Sequence, residues 1–329
     1  MATVNLTTTS SNFAQAVVDA VRAEVIAGLR AGLAHLPPGV VVPAVHQKGN
    51  TLTARYTRFN DLAEPAGGDA LAGPDAYLLV EGTPPAAQAL GESFDTLLLK
   101  QYGGLVDFSD LMDAEHPADI GKTFSERVSR QMKAVLDGIA KAVWHGSAAS
   151  FVVTSTTIIK GDDVRKMVAL LSNAGVPRVG GGNIDGTSEG GEGGYYVGII
   201  SPMAAYDLKA ETTAGGWLDV ARYANPESIL SGEIGAFAGV RFVESPKGRI
   251  DVAATPDTFK TIIAGANSIA FGDLGTMFLS YLPAGVATKD DPLAQKGEAG
   301  WKMLAGGAQV KLGQTTRFGT ISSTSTLVP

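Results

Sequence analysis

The strongest pattern of apolar and polar positions lies between residues 118 and 145. Apolar side chains recur there every three or four positions, which is the spacing that places them on one face of an α-helix. They are Ile120, Phe124, Val128, Met132, Val135, Leu136, Ile139 and Val143. At about 1.5 Å per residue, the pattern predicts one amphipathic helix of about 40 Å that ends near Gly146. A helix of this length can act as the backbone of a flat molecule.

A second helical pattern precedes it. Apolar residues occur at every fourth position, namely Phe13, Val17, Val21, Val25, Leu29 and Leu33. This spacing predicts a helix with a single apolar stripe. The run Pro37-Pro38-Gly39 is expected to end it, because proline and glycine interrupt helices.

Between the two helices, residues 51–58 and 93–108 read as β-strands. The segment 61–91 that joins them is rich in glycine, proline and alanine and has little to bury by itself. We therefore expect a projecting hairpin that gains order by lying on another molecule, since an isolated hairpin is marginal in water. Gly103 and Gly104, near its base, are expected either to provide flexibility or to serve close packing.

After residue 148 the pattern changes to short alternating elements. It predicts strands at 151–159, 195–200, 240–243, 261–271 and 301–312 and helices at 163–173 and 202–208, before a tail rich in serine and threonine. The chain of 329 residues exceeds the size at which single cores stop growing. The sequence therefore predicts an α+β protein with more than one packed unit.

Composition narrows the class of protein further. Charged residues make up only 18% and glycine accounts for 41 of 329 residues, as expected for long loops and a surface that is buried against partners. The net charge of −7 gives no general attraction to nucleic acid, and the lack of cysteine excludes cysteine-based catalysis and metal binding. Without a signal sequence or an apolar stretch of about 18 residues, we expect a soluble protein that is not exported and contacts no membrane.

The sequence contains only weak candidates for catalytic or ligand-binding motifs. Gly121-Lys122-Thr123 looks like the end of a phosphate-binding loop, but His116 stands where that motif needs glycine. The run from Gly186 to Gly190 has the spacing of a nucleophile elbow around Ser188, yet glycines replace the strand and helix that must flank it. A surface loop explains this run, and a serine hydrolase is kept as a third hypothesis. The histidines have no metal-site spacing; they are His35, His46, His116 and His145. No catalytic residue, cofactor or metal is predicted, and the protein is expected not to be an enzyme.

The polar face of the long helix carries more basic than acidic residues. The basic residues are Lys122, Arg127, Arg130, Lys133 and Lys141. One reading is a solvated helix surface. The alternative is a DNA-facing surface that contacts only the phosphate backbone and is therefore independent of sequence.

Several short segments, in order along the chain, resemble a known family. They are LVEGTPP at 79–85, KQYGG at 100–104, GEIG at 232–235 with GVRFVES at 239–245, and DPLAQKG at 291–297 with GWK at 300–302. Together with the order of elements, they resemble the Hong Kong 97-like coat proteins of tailed phages, and more specifically the family named after coliphage N-four. The resemblance covers about residues 51–312.

The resemblance implies a division of the chain. It comprises an N-terminal arm (1–47), an E-loop (48–110), a peripheral domain with a spine helix (111–153), an axial α/β domain (154–299), and a C-terminal strand of the peripheral domain followed by a tail (300–329). The implied function is that of a major capsid protein that self-assembles as hexamers and pentamers into an icosahedral shell around double-stranded DNA. It would be assembled in the bacterial cytoplasm with decoration, scaffold and portal proteins as further partners. An encapsulin-like compartment for cargo enzymes is the alternative.

Overall fold

The computed structural model describes residues 33–46, 53–59, 81, 91–111, 120–146, 149–180, 194–210, 217, 230, 232–251, 257–272, 278–282, 291–293, 295–312 and 315–327. The helices among them are α1 (Ile120–Gly146), α2 (Gly161–Asn173) and α3 (Pro202–Ala210). The N-terminal stripe at 13–33 and the glycine-rich run around Ser188 lie outside these residues, apart from Leu33.

Sixteen strands accompany these helices in the described part of the chain. They are β1 (Val41–His46), β2 (Thr53–Phe59), β3 (Glu92–Leu98), β4 (Lys100–Ser109), β5 (Phe151–Ile158), β6 (Tyr196–Ile200), β7 (Glu233–Phe237), β8 (Val240–Glu244), β9 (Arg249–Asp251), β10 (Thr258–Ala264), β11 (Ile269–Gly272), β12 (Phe278–Leu282), β13 (Lys296–Gln309), β14 (Lys311–Leu312), β15 (Thr315–Thr316) and β16 (Phe318–Thr324). The mixed α/β fold class predicted from the sequence is confirmed.

The first sheet, sheet A, has the strand order β12-β13-β11-β1-β2-β3, and β4 also pairs with β13. The long strand β13 organises it, because its first ten residues pair with β4 and its last four with β11. Helix α1 lies on β13, where Val128, Met132 and Leu136 pack in one cluster with Trp301 and Met303. The apolar stripe predicted for this helix is therefore its buried face.

The second sheet, sheet B, has the order β5-β16-β10-β6-β8-β7, and β9 pairs with β10. Strand β6 lies in the interior of this sheet, and all five of its residues are buried. Helix α2 covers one side by packing against β5 and β16. The start of α2 is fixed as the sequence suggests, since an Asp163 carboxylate oxygen accepts the Lys160 backbone N–H at 3.1 Å.

The two sheets meet in a shared apolar cluster. Trp144, near the end of α1, is fully buried and packs edge-on against Phe318 of β16, with ring centroids 5.0 Å apart. Val40, Ile262 and Ile269 belong to the same cluster and come from three further segments of both sheets. The C-terminal end of the long helix is therefore the joint between the two halves of the molecule.

Two sequence predictions were wrong in detail. The apolar run 261–271 is not one strand; it is divided between β10 in sheet B and β11 in sheet A, with a turn at Asn267, whose φ is 54°. An apolar run alone does not show such a turn. The serine- and threonine-rich tail is also not a tail, because residues 318–324 form β16 between β5 and β10. Phe318 and Ile321 within it are fully buried, which a count of polar residues conceals.

Candidate assembly surfaces

The predicted hairpin is present as β2 and β3. These strands pair antiparallel from Thr53 opposite Leu98 to Phe59 opposite Glu92. Beyond Leu99 the chain continues directly into β4, so the hairpin extends from the long strand system of sheet A. Phe94 and Leu98 on β3 are 54% and 59% exposed, although both are large and apolar. Apolar side chains presented this way mark a surface for contact with another molecule.

The root of the hairpin crosses sheet A at two glycines. A Cβ on Gly306 would overlap the carbonyl oxygen of Leu98 and lie 3.1 Å from Leu99 Cα, and a Cβ on Gly272 would lie 2.8 Å from Leu97 Cδ1. Leu97 and Leu99 are buried beneath this crossing. The glycines therefore let one strand lie directly on two others, which fixes where the hairpin leaves the body.

Of the two roles expected for Gly103 and Gly104, the structure favours close packing over flexibility. Both lie within β4 and pair with Lys302 and Trp301 of β13. A Cβ on Gly103 would lie 2.8 Å from Trp301 O, and one on Gly104 would lie 2.8 Å from Trp301 Nε1. These glycines serve close packing, because the indole of Trp301 fills the space where a side chain would be.

The segment that begins at Leu33 is held to α1 by polar contacts. The backbone N–H of His35 donates to Asp137 Oδ1 at 3.1 Å, and His35 Nδ1 lies 3.0 Å from the same oxygen. Trp144 Nε1 donates to the carbonyl oxygen of His35 at 2.9 Å. His35 and Trp144 are fully buried. This anchor, which sequence reasoning missed, fixes His35 against α1.

The contact between His35 and Asp137 predicts how the stability of the fold depends on pH. Burial alone would raise the pKa of Asp137, but the hydrogen bonds from His35 and the electrostatic attraction of His35 and Lys247 together hold that pKa below its ordinary value. A carboxyl with a lowered folded pKa stabilises the folded state fully above its unfolded pKa, about 3.9, and this stabilisation is lost as the pH falls toward the folded pKa. The free energy of unfolding, measured in urea from about pH 6 to about pH 3, should fall more steeply for the native chain than for Asp137→Asn. Parallel curves would contradict the assignment.

The five basic residues proposed as DNA-facing all belong to α1, but they differ in exposure. Arg127 and Arg130 are exposed, whereas Lys133 and Lys141 are half-buried and Lys141 Nζ lies 3.5 Å from the carbonyl oxygen of Gly248. The side chain of Lys122 lies outside the described residues, although its backbone is helical. Arg127 and Arg130 are therefore the residues of this set best placed to meet a partner.

Three leucines of sheet A and its flanking segments are more exposed than any other large apolar residue that the structure describes: Leu293 (76%), Leu105 (68%) and Leu111 (63%). Leu111 and Leu293 flank the same end of the β4–β13 pair, where the Asp110 N–H donates to Gln295 O at 2.9 Å, and Leu105 lies further along β4, opposite Gly300. Such a concentration indicates a second contact surface.

The described residues supply little for catalysis. They contain no group of three or more histidine, aspartate or glutamate side chains placed to hold a metal ion. Gly121-Lys122-Thr123 lies inside α1, as expected for helix-surface residues. Within the same residues, no helix is long and apolar enough to cross a membrane.

Comparison with known protein families gives one match. Residues 140–289 match the model of the family described as phage capsid protein. A search of curated proteins finds no significant match.

Solved structures cover more of the chain. The capsid of Ralstonia phage GP4 is 12% identical with a TM-score of 0.60, over 88% of this chain and 86% of that one. The head structure of Helicobacter pylori bacteriophage KHP40 is 11% identical with a TM-score of 0.59, over 87% of each chain. The capsid asymmetric unit of cyanophage Pam1 is 13% identical with a TM-score of 0.55, over 90% and 93%. At these identities the likeness shows a shared fold, and the family match over residues 140–289, just under half of the chain, is to phage capsid proteins.

Proposed function

We propose that this chain is a phage major capsid protein with a Hong Kong 97-like fold, which assembles as hexamers and pentamers into an icosahedral shell that encloses double-stranded DNA. The observation that carries the proposal is the hairpin β2–β3, which leaves the body at a fixed crossing and exposes Phe94 and Leu98. Exposed apolar side chains of this kind mark contact surfaces, and a second copy is the partner that is always present during assembly. The subunit acts through binding alone and performs no catalysis.

The division into an N-terminal arm, E-loop, peripheral domain and axial domain is part of this proposal. The anchored segment around His35 supports an arm that starts near α1, and β2–β3 supports the E-loop. In this proposal, sheet A and α1 form the peripheral domain, and sheet B, which includes β16, forms the axial domain. The N-four subtype and the scaffold, decoration and portal partners belong to the proposal as well.

Assembly of the purified chain tests the proposal. We expect the native chain to form closed shells by electron microscopy and a large sedimenting species. At the same concentrations, the double variant Phe94→Glu/Leu98→Glu should leave only small species. This double variant should retain the unfolding midpoint of the native subunit, because both side chains are exposed. A native chain that remained monomeric at every concentration would contradict the proposal.

The contents of the shell distinguish a capsid that encloses a DNA genome from the alternative, an encapsulin-like compartment that encloses cargo enzymes. The match to the phage capsid protein family favours the genome. We expect shells formed in cells to contain DNA, and shells that contain a stoichiometric enzyme and no DNA would instead support the compartment.

The DNA-facing role of α1 predicts a specific effect of charge reversal. Arg127→Glu/Arg130→Glu should leave assembly intact and lower the DNA retained per shell, because contacts to phosphates are lost. Each lost contact should also reduce the slope of the logarithm of the binding constant against the logarithm of the salt concentration by about 0.9. The matched control reverses two exposed basic residues elsewhere, Lys166 on α2 and Lys302 on β13. Equal DNA content in both variants would show that α1 does not face the DNA.

A further inference from the structure

Sheet A has one face that stays exposed in the described part of the subunit. Strands β12 and β4 lie on the two sides of β13, whose residues alternate between a side buried toward α1 and an exposed side. Leu105 of β4 and Phe278 of β12 are 68% and 59% exposed on this second side, which we call the open face. Large apolar side chains presented on a sheet in this way mark a surface for contact with another molecule.

A depression lies at the centre of the open face. Gly300 of β13 stands between Leu105 and Ser280, which pair with it from the two sides. The Leu105 side chain leans over this glycine, since a Cβ on Gly300 would lie 3.2 Å from Leu105 Cδ1. Leu282, at the next position of β12 on the same face, is half-buried and completes an apolar rim. The face therefore has room for an inserted side chain.

Two carboxylates border this depression. Asp107 of β4 and Glu298 of β13 are both exposed and lie directly opposite each other, next to Leu105 and Gly300 on the open face. Directly opposed residues have Cβ atoms about 5 Å apart, and like charges at that distance destabilise the sheet. Neither carboxylate forms a hydrogen bond or an ion pair with a described residue, although Lys296 lies only two residues from Glu298. The repulsion is therefore not relieved within the described subunit.

The carboxylates decide which kind of partner the open face suits. Nucleic acid is a poor partner, because both carboxylates would repel its phosphates. Arginine suits the pair best, because its planar guanidinium has five N–H donors, can bind two carboxylates at once and is less strongly hydrated than an ammonium group. Arginines that are enclosed by apolar side chains are frequent hot spots of protein interfaces. The open face thus fits an arginine that is flanked by apolar residues.

The position of the open face indicates which molecule brings this arginine. Helix α1 packs on the other side of β13, and the proposed function places α1 toward the DNA. The open face then lies on the outside of the shell, where a single layer of subunits leaves it uncovered by further copies. We propose that it binds a separate protein, which covers the outside of the shell and inserts an arginine between apolar side chains at Asp107 and Glu298. This inference rests on the proposed function and adds the chemistry of one partner.

Peptide binding to purified shells tests the proposal. The probes are two fluorescently labelled peptides, Gly-Leu-Arg-Leu-Gly and Gly-Leu-Glu-Leu-Gly, and fluorescence anisotropy gives their dissociation constants. We expect native shells to bind the arginine peptide about tenfold more tightly than the glutamate peptide, the effect of one modest contact. Asp107→Asn/Glu298→Gln should abolish this preference. Its unfolding midpoint should be unchanged or higher, because the substitutions also remove the repulsion.

The matched control is Asp162→Asn/Asp257→Asn, which removes the same number of charges from the part of the chain around sheet B. Its shells should keep the preference for the arginine peptide. Native shells that bind both peptides equally, or a preference that survives in Asp107→Asn/Glu298→Gln, would overturn the inference and leave the proposed function intact. Absence of shells from the native chain would overturn both.

A divalent cation is the other ligand that neutralises two facing carboxylates, and calcium chloride alone tests for it. We expect isothermal titration calorimetry to show the same heats for native shells and for shells of Asp107→Asn/Glu298→Gln. Calcium binding that only the native shells show would make the pair a metal site and would overturn the arginine assignment.

Discussion

Trp144→Ala is expected to lower the free energy of unfolding by about 3–5 kcal/mol, the usual range for deleting a buried tryptophan. The indole is fully buried, packs against Phe318 and donates to the carbonyl oxygen of His35. Its loss leaves a cavity where the two sheets meet and an unpaired carbonyl at the root of the arm. Urea unfolding of the free subunit measures the change, and shell yield should fall with it.

Trp144→Phe separates packing from hydrogen bonding at this joint. Phenylalanine keeps most of the contact with Phe318 but cannot donate to His35 O, so we expect a loss of about 1–3 kcal/mol, the cost of leaving one buried group unsatisfied. If the alanine variant unfolded at the same urea concentration as the native chain, the two sheets would not depend on Trp144 for their joint.

Gly306→Val is expected to give the second large effect. Every atom that a Cβ at this position would meet first belongs to the backbone of Leu98 and Leu99, so no side-chain rotation can relieve the overlap. Overpacking of this kind typically costs about 1–3 kcal/mol, and here it also displaces the hairpin root. We expect a lower unfolding midpoint and shells that are absent or irregular by electron microscopy.

Lys302→Val is the matched control, because it places valine on the same strand and the same face of β13, at an exposed position. Its unfolding free energy should stay within about 0.5 kcal/mol of the native value. Similar losses in both variants would mean that valine is poorly tolerated throughout β13 and that the crossing has no special role.

The elements that could be predicted from the sequence are those whose pattern is local. The stripe from Val128 to Val143 predicted α1, and the strand-like stretches at 51–58 and 93–108 predicted both hairpin strands. The helix predicted at 202–208 is α3, which begins at Pro202, a residue suited to a first helical turn. In each case the physical cause, a face to bury or an amide to satisfy, lies within a few residues of its signal.

The features that could not be predicted depend on residues far apart. In the sequence, Asp137 looks like an ordinary charged residue on a helix surface. Only the fold shows its contact with His35, which lies 102 residues earlier in the chain. Gly306 gives a weak hint, since glycine inside a strand often marks a close backbone approach, but the strand that crosses it is not evident from sequence. The exposed leucines of sheet A and its flanking segments were also missed, because exposure is a property of the folded surface.

The position of β16 has a consequence for how the protein is made. This strand fills the gap between β5 and β10, and the contact between Ser150 and Thr316 spans 166 residues. While the ribosome is still translating the region between them, sheet B is split, and the nascent polypeptide lacks the strand that joins its halves. Sheet B is therefore completed only once residues 318–324 have been synthesised, and a chain interrupted before them leaves β5 and β10 without the strand that pairs with both.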